Sequence, residues 1–281
     1  MELFKGIVAA KGKLSKWIIA NLGVSYANAQ KIIRQKDVKL NCTRVSEDVA
    51  IESGDEVQVY YDSKMLVKKS IEYAVVYEDD NLLVVNKPAG IEVTGNNSLE
   101  NELQKYYKSI NAVNRIDRYT IGLVMFAKNK EFADEVKRAT KEGCVLKEYR
   151  AWVYGKTPAH FSGAAFLFKD SKKSVSIISD NFKKGSVKIE TQFDLIKFRD
   201  SKSLINVKIH SGKTHQIRAH LAHLGFALVG DGKYAMHKDF NSTSEKHHQL
   251  FAYKIAFNFQ PDSKFGYLNN CKIEINNEKF M

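Results

Sequence analysis

The run Asn114-Arg115-Ile116-Asp117 leads through Thr120 and Gly122 into the apolar stretch Leu123-Val124-Met125-Phe126-Ala127. That stretch reads as a buried strand, which places the acid and the arginine at its mouth. A carboxylate in such a position can serve as a covalent or electrostatic partner to an electrophilic carbon. A planar guanidinium two residues away can fill the space left by a base that has swung out of its stack. The pairing suits action on an extruded base. Downstream stand Lys147-Glu148-Tyr149-Arg150-Ala151 and Gly212-Lys213-Thr214-His215-Gln216-Ile217-Arg218-Ala219-His220, both dense in hydrogen-bonding groups.

His215, His220 and His223 lie close enough in sequence to invite a zinc reading. His215 and His220 are five apart, however, and do not share a helical face. We therefore assign no metal.

The elements that must position these residues follow from composition and periodicity. With 281 residues and 44% hydrophobic content the chain can bury at least one substantial core, and one large domain plus a small one fits best. The formal charge of +12 favours a polyanionic partner. No window reaches the roughly 18 apolar residues that span a bilayer, and no signal-peptide core opens the chain. Cys42, Cys144 and Cys271 are scattered and unpaired by motif, which suits a reducing compartment. The expected location is the cytoplasm, without membrane association, and the expected state is a monomer.

Residues 14 to 22 place Leu14, Trp17, Ile18 and Leu22 on one helical face, and a second helix carries Ile32 and Ile33. Val38 and Leu40, then Val57, Val59 and Tyr61 after the turn Gly54-Asp55, read as short strands. Residues 11 to 44 hold eight basic side chains against the single acid Asp37, whereas 45 to 62 hold six acids and no base. Such a dipolar module can turn a basic helical face toward phosphates. We place a module at 1–64, a polar basic linker from Asp62 to Ser70, and a second domain at 71–281. In the latter, strands are expected at Ile71 to Tyr77, Leu82 to Val85, Leu146 to Tyr154, Val187 to Ile196 and Leu204 to His210. Helices are expected at 98 to 108, at 130 to 141 after the cap Asn129, and at 214 to 224 after the cap Thr214. The fold class is α+β, with a largely antiparallel, curved, mixed sheet and a small N-terminal α/β module.

Together the motifs at 114–122, 147–151 and 212–220 closely resemble those of the RluA-type pseudouridine synthases. The strand ending in Asn86-Lys87-Pro88-Ala89-Gly90 and the run Gly225 to Tyr234 extend the likeness, and residues 11 to 62 resemble the small alpha-L RNA-binding domain that often precedes them. The resemblance implies conversion of uridine to pseudouridine in RNA, with ribosomal RNA of the large subunit as substrate and transfer RNA as the alternative. The reaction breaks the bond from ribose to ring nitrogen, turns the uracil and rejoins it through carbon. No redox change occurs, so no metal or organic cofactor is required.

By this resemblance Asp117 is the catalytic aspartate, attacking either the anomeric carbon or the uracil ring. A nucleophilic carboxylate must stay ionised where burial alone would neutralise it, so a buried cation is needed. The resemblance assigns that part to Arg218, whose guanidinium fork can fix both charge and orientation. It packs Tyr149 on the target base, with its hydroxyl a candidate acceptor of the ring proton, and Arg115 is placed to fill the vacated stack. Lys87 meets either RNA phosphate or a core carboxylate; with Lys213, Lys16, Lys31 and Arg34 it completes the expected RNA contacts. Asp231 reads as a turn or cap residue. The sequence departs from the family pattern at Asn114, Ile121, Lys213 and Phe251, where histidine, serine, arginine and histidine are usual, and in Lys13-Leu14-Ser15 and Ser25-Tyr26-Ala27 of the first module. The competing classes are a noncatalytic RNA-binding or ribosome-assembly protein on the same fold, and a carboxylate-based glycosidase, which would want a second acid matched to Asp117.

Overall fold

The computed structural model describes residues 1–62, 71–235 and 244–281, and the chain divides into two compact units, Met1–Ser70 and Ile71–Met281. The expected linker falls almost wholly at 63–70, outside the described residues.

In the first unit, strands β1 (Glu2–Ile7) and β2 (Gly12–Lys13) precede helices α1 (Leu14–Leu22) and α2 (Tyr26–Arg34). Strands β3 (Val38–Leu40), β4 (Thr43–Val45), β5 (Ala50–Ile51) and β6 (Glu56–Tyr61) follow. Leu14, Ile18, Ile32 and Ile33 bury against Val38, Val57 and Val59, as their spacing requires. Ser25 caps α2 by accepting from the Asn28 amide, whereas α1 has no side-chain cap of its own. Its Ser15 amide is met instead by the distant Asp48 carboxylate at 2.8 Å. The sequence did not reveal β1, because its outward positions Leu3 and Ile7 are apolar and exposed, which inverts the usual alternation.

The second unit is one large sheet with helices against it. In chain order it comprises β7 (Ala74–Glu78), β8 (Leu82–Lys87), α3 (Leu99–Leu103), β9 (Asn111–Ala112), β10 (Ile121–Ala127) and α4 (Lys130–Lys141). There follow β11 (Val145–Tyr154), β12 (His160–Asp170), β13 (Val175–Ser179), β14 (Val187–Arg199), β15 (Lys202–Ile209), α5 (Gln216–His223), β16 (Leu250–Phe257) and β17 (Ile273–Glu274). The strand order is β13-β12-β14-β15-β11-β16-β10-β8-β7. Every neighbouring pair is antiparallel except β10 with β16, so the α+β, largely antiparallel mixed sheet is present as expected.

Burial on both faces explains the continuous apolar runs. Leu83 and Val85 enter one core with Tyr149, Val207 and Ile217, while Leu82 and Val84 enter the other with Phe132, Val136 and Phe257. Helix α4 starts at its Asn129 cap and buries Phe132, Val136 and Ala139. Two helices are shorter than their patterns: α3 ends at Leu103, and α5 begins after His215, which has φ 54°, rather than after a Thr214 cap. Strands β12 and β13 escaped the sequence reading, since β12 carries Gly163, Ala164 and Ala165, all weak strand formers.

The parallel seam between β10 and β16 positions the site. Gly122 pairs with Ala252, and Ala252 pairs in turn with Tyr149 on β11, which puts the three residues in one row across the sheet. Gly122 has φ 114°, and a Cβ there would lie 2.1 Å from the Ala252 carbonyl oxygen. Gly122→Ala must therefore strain its backbone and push the seam apart, with an expected loss of about 2–4 kcal/mol. A large fall in the urea midpoint is the expected result, and an unchanged midpoint would refute the seam as the constraint.

Candidate active site

Asp117 stands on the loop between β9 and β10, a loop fastened at both ends. At its start, the Asn114 side chain accepts from the Met125 amide at 2.7 Å. Near its end, Thr120 N donates to Asp117 O, and Gly90 N donates to Arg118 O while Arg118 Nε donates back to Gly90 O. Lys87 completes the fastening: fully buried, its ammonium donates to the carbonyls of Pro88, Ile91 and Arg118 at 2.7, 2.8 and 3.0 Å. Burial pulls its pKa down to about 8. The expectation that Lys87 meets RNA phosphate or a core carboxylate is therefore corrected, because three backbone carbonyls consume its donors.

Arg218 projects from α5 into the same space, and its Nη1 donates to Asp117 Oδ2 at 2.8 Å. The fork does not grip this acid. Nε and Nη2 donate to the two oxygens of Asp231 at 2.7 and 2.8 Å. The Asp231 side chain is completely buried, that of Arg218 is 9% exposed, and that of Asp117 is 23% exposed. Burial opposes ionisation of Asp231, but the hydrogen bonds and charge of Arg218 outweigh it and hold the carboxyl below its ordinary range. Burial likewise opposes the charge on Arg218, and the two acids more than offset it.

Asp231 is the functional residue that the sequence reading undervalued. It does cap a turn, accepting from the amides of Lys233 and Tyr234, yet it is also the anchor of the arginine. The available signal was the demand itself, since a guanidinium buried beside one partly exposed acid needs a second anion.

Two cavities meet at Asp117. The outer cleft, of about 520 Å³, is lined by Arg115, Arg118, Lys213, Arg218 and Lys233 among others. The inner recess, of about 50 Å³, lies between Asp117, Arg218, Tyr149, Ile209 and Leu250. Burial, reinforced by the Asp117 charge, raises the Tyr149 pKa and keeps its phenol protonated. Arg115 is exposed, and among the described residues its guanidinium has no hydrogen-bond or ion-pair partner. Lys213 is exposed and borders both cavities. Lys16, Lys31 and Arg34 are exposed on α1 and α2 of the first unit.

The histidines around the site serve separate partners. His215 Nδ1 shares a hydrogen bond with the Tyr234 hydroxyl at 2.8 Å, while its Nε2 is 3.9 Å from Asp117 Oδ1. His220 bonds Thr191, and His223 faces Asp180. Gln216 accepts from the Ser211 hydroxyl and Lys213 amide and donates to Glu190 O, as expected of a loop-organising residue. His248, absent from the sequence reading, bonds the Thr120 hydroxyl at 2.9 Å, and burial lowers its pKa to about 4.

Two departures from the family pattern are physically linked. Ile121 and Phe251 are register partners across the β10–β16 seam, and both join an apolar cluster with Trp152, Leu204 and Phe280. Apolar side chains thus meet where polar ones are usual, on the side of the sheet away from Tyr149.

The model of the RNA pseudouridylate synthase family matches residues 81–223, a span that holds Asp117, Tyr149 and Arg218. The chain is 30% identical over 229 residues to ribosomal large subunit pseudouridine synthase C of Rickettsia felis, across 73% of this chain and 75% of that one. It is 29% identical over 225 residues to the protein of the same name from Vibrio cholerae, across 73% and 70% of the two chains. Among solved structures, human RNA pseudouridylate synthase domain containing 1 aligns with a TM-score of 0.58 at 21% identity, over 75% of this chain and 93% of that one.

Removing Asp231 leaves the buried guanidinium facing one partly exposed acid. Asp231→Ala is expected to cost about 3–5 kcal/mol of folding stability, the usual result of breaking a buried pair from one side. Urea denaturation checks this, and a cost below about 1 kcal/mol would show that Arg218 is held by something else.

Proposed function

Because this chain belongs to the RNA pseudouridylate synthase family of enzymes, we propose that it isomerises uridine to pseudouridine in ribosomal RNA of the large subunit, with Asp117 as nucleophile. The observation that carries the reading is the 2.8 Å bond from Arg218 to Asp117 Oδ2, made beside a recess that also holds Tyr149. The names of the curated relatives support the ribosomal substrate.

The target uridine leaves its stack at a cost of a few kcal/mol and enters the recess, while the exposed guanidinium of Arg115 takes its place. Arg218 holds Oδ2 in place and, with Asp231 behind it, keeps a positive charge against the nucleophile. Oδ1 accepts no hydrogen bond among the described residues, so it is the oxygen free to bond carbon, at the ribose or at the ring. The nitrogen–ribose bond breaks, the uracil turns, a carbon–ribose bond forms, and the ring carbon loses its proton while the freed nitrogen gains one. Covalent attachment to Asp117 is undone in the last step, so nothing is consumed.

Tyr149 serves as the flat apolar wall of the recess with a donor hydroxyl. A phenol kept protonated is a poor base, and it takes the ring proton only by passing on its own. Lys213 at the cleft, and Lys16, Lys31 and Arg34 on the first unit, supply phosphate contacts. The reading takes the chain to act as a monomer, and a ribosomal RNA substrate supports a cytoplasmic location.

Pseudouridine maps of ribosomal and transfer RNA from cells with and without the protein test the proposal. Specific sites in large-subunit RNA should vanish and return with the parent chain but not with Asp117→Asn, whose turnover should fall on the order of 10⁴-fold or more. Loss confined to transfer RNA would move the substrate, and unchanged maps would sink the reading. Arg115→Lys keeps the charge and removes the plane, so a rise in KM of about tenfold is expected; full activity would reduce Arg115 to a simple charge.

A further inference from the structure

Beside the catalytic cleft lies a second opening, of about 290 Å³, bordered by Lys169, Ser171, Ser174, Thr214, His215 and Lys233. Four of these residues, Lys169, Thr214, His215 and Lys233, also line the cleft, so the two spaces are continuous. We propose that this opening is a subsite for an RNA backbone phosphate of a nucleotide flanking the flipped uridine, gripped by Lys169 and Lys233 and by the hydroxyls of Ser171 and Thr214. The inference rests on RNA being the substrate.

The chemistry of the lining carries the proposal. Among the described residues two ammonium groups and three hydroxyls surround the space, and no carboxylate lines it. Among the described residues the Lys169 ammonium and the hydroxyls of Ser171 and Thr214 have no hydrogen-bond or ion-pair partner. Lys233 spends one donor on the Ser174 carbonyl at 2.9 Å and keeps the others. The nearby acid Asp170 is occupied, accepting from the amides of Lys172 and Lys173 at 3.0 Å each. Among the described residues Val175 is the one apolar member of the lining, too little surface to stack a base, which leaves a compact anion as the fitting ligand.

The subsite is also built rather than draped over a surface. The β12–β13 hairpin that carries Lys169, Ser171 and Ser174 is tied to the segments on either side of α5, for Ser176 donates its hydroxyl to Thr214 O at 2.6 Å and its amide to the Tyr234 hydroxyl at 2.8 Å. That same tyrosine bonds His215, whose other nitrogen faces Asp117. A phosphate held here is thereby set at a fixed offset from the nucleophile, which orients the strand from which the uridine is drawn.

The test is fluorescence anisotropy of the full chain with a labelled uridine-containing RNA stem-loop, titrated across potassium chloride concentrations. Lys169→Ala should weaken binding by about tenfold at low salt and lower the slope of log Kd against log salt by about one, as expected for the loss of one phosphate contact. Lys169→Arg should retain both. Lys188→Ala, which removes an exposed lysine paired with Glu190, is the control and should change neither. Parental affinity and slope in Lys169→Ala would overturn the proposal. So would protection of Lys169 by sulfate at matched ionic strength without any change in RNA slope, since that marks a site for free anions. The readout is binding, so a chain that binds RNA with the Lys169-dependent slope yet forms no pseudouridine would refute the catalytic reading and leave the subsite standing.

Discussion

A single guanidinium caught between two carboxylates governs this structure. Arg218 has one edge satisfied by Asp231 and only its remaining nitrogen turned to Asp117. The division of labour follows from burial. The fully enclosed acid takes the two-pronged contact and neutralises the arginine's desolvation cost, and the acid at the cavity wall receives one bond. A carboxylate gripped at both oxygens would be stable and inert, whereas one held by a single oxygen keeps its other oxygen available. The three groups together carry one net negative charge, and it is exposed to the cleft only at Asp117.

The rest of the second unit serves to hold that geometry. The loop bearing Asp117 is pinned by the buried Lys87 and by the Asn114 side chain, and its far end enters β10 at a glycine that lets two parallel strands close up. Helix α5, with Arg218 on it, starts from a left-handed His215 and not from a side-chain cap, a conformation that its bond to Tyr234 helps to impose. The buried Lys147 shows the same economy as Lys87: its ammonium donates to the carbonyl of His210, tying the end of β11 to the segment leading into α5. In both cases burial pulls the lysine pKa down to about 8. Both lysines are used as structural clamps on backbone carbonyls, and of the two Lys87 had the look of a phosphate ligand in the sequence.

Much of this was legible in the chain. The strand beginning at Leu82, the helix at 130–141 with its Asn129 cap and the inward position of Tyr149 followed from period and capping chemistry, and the pairing of Asp117 with Arg218 from the family resemblance. What was not legible shares one trait. Lys87 was misread because a lysine beside a proline turn has the same appearance whether its ammonium faces solvent or three carbonyls. Asp231 was undervalued because Gly230-Asp231-Gly232 is sufficient reason for a turn and hides a second role. Strands β1, β12 and β13 were missed because their outer faces are apolar or their inner faces small, so alternation carried no signal.

The sequence by itself determined many of the elements, the class of fold and the chemical types available, because periodicity, capping and charge act between residues near one another in the chain. It also determined that Ile121 and Phe251 differ from their usual counterparts. Only the tertiary structure decided that those two face each other across one seam, that Asp231 and not Asp117 takes the fork of Arg218, and that Lys169 stands beside the cleft without a partner among the described residues. Each of those facts is a contact between segments brought together by the order of strands in the sheet, and that order is set by packing of the whole core.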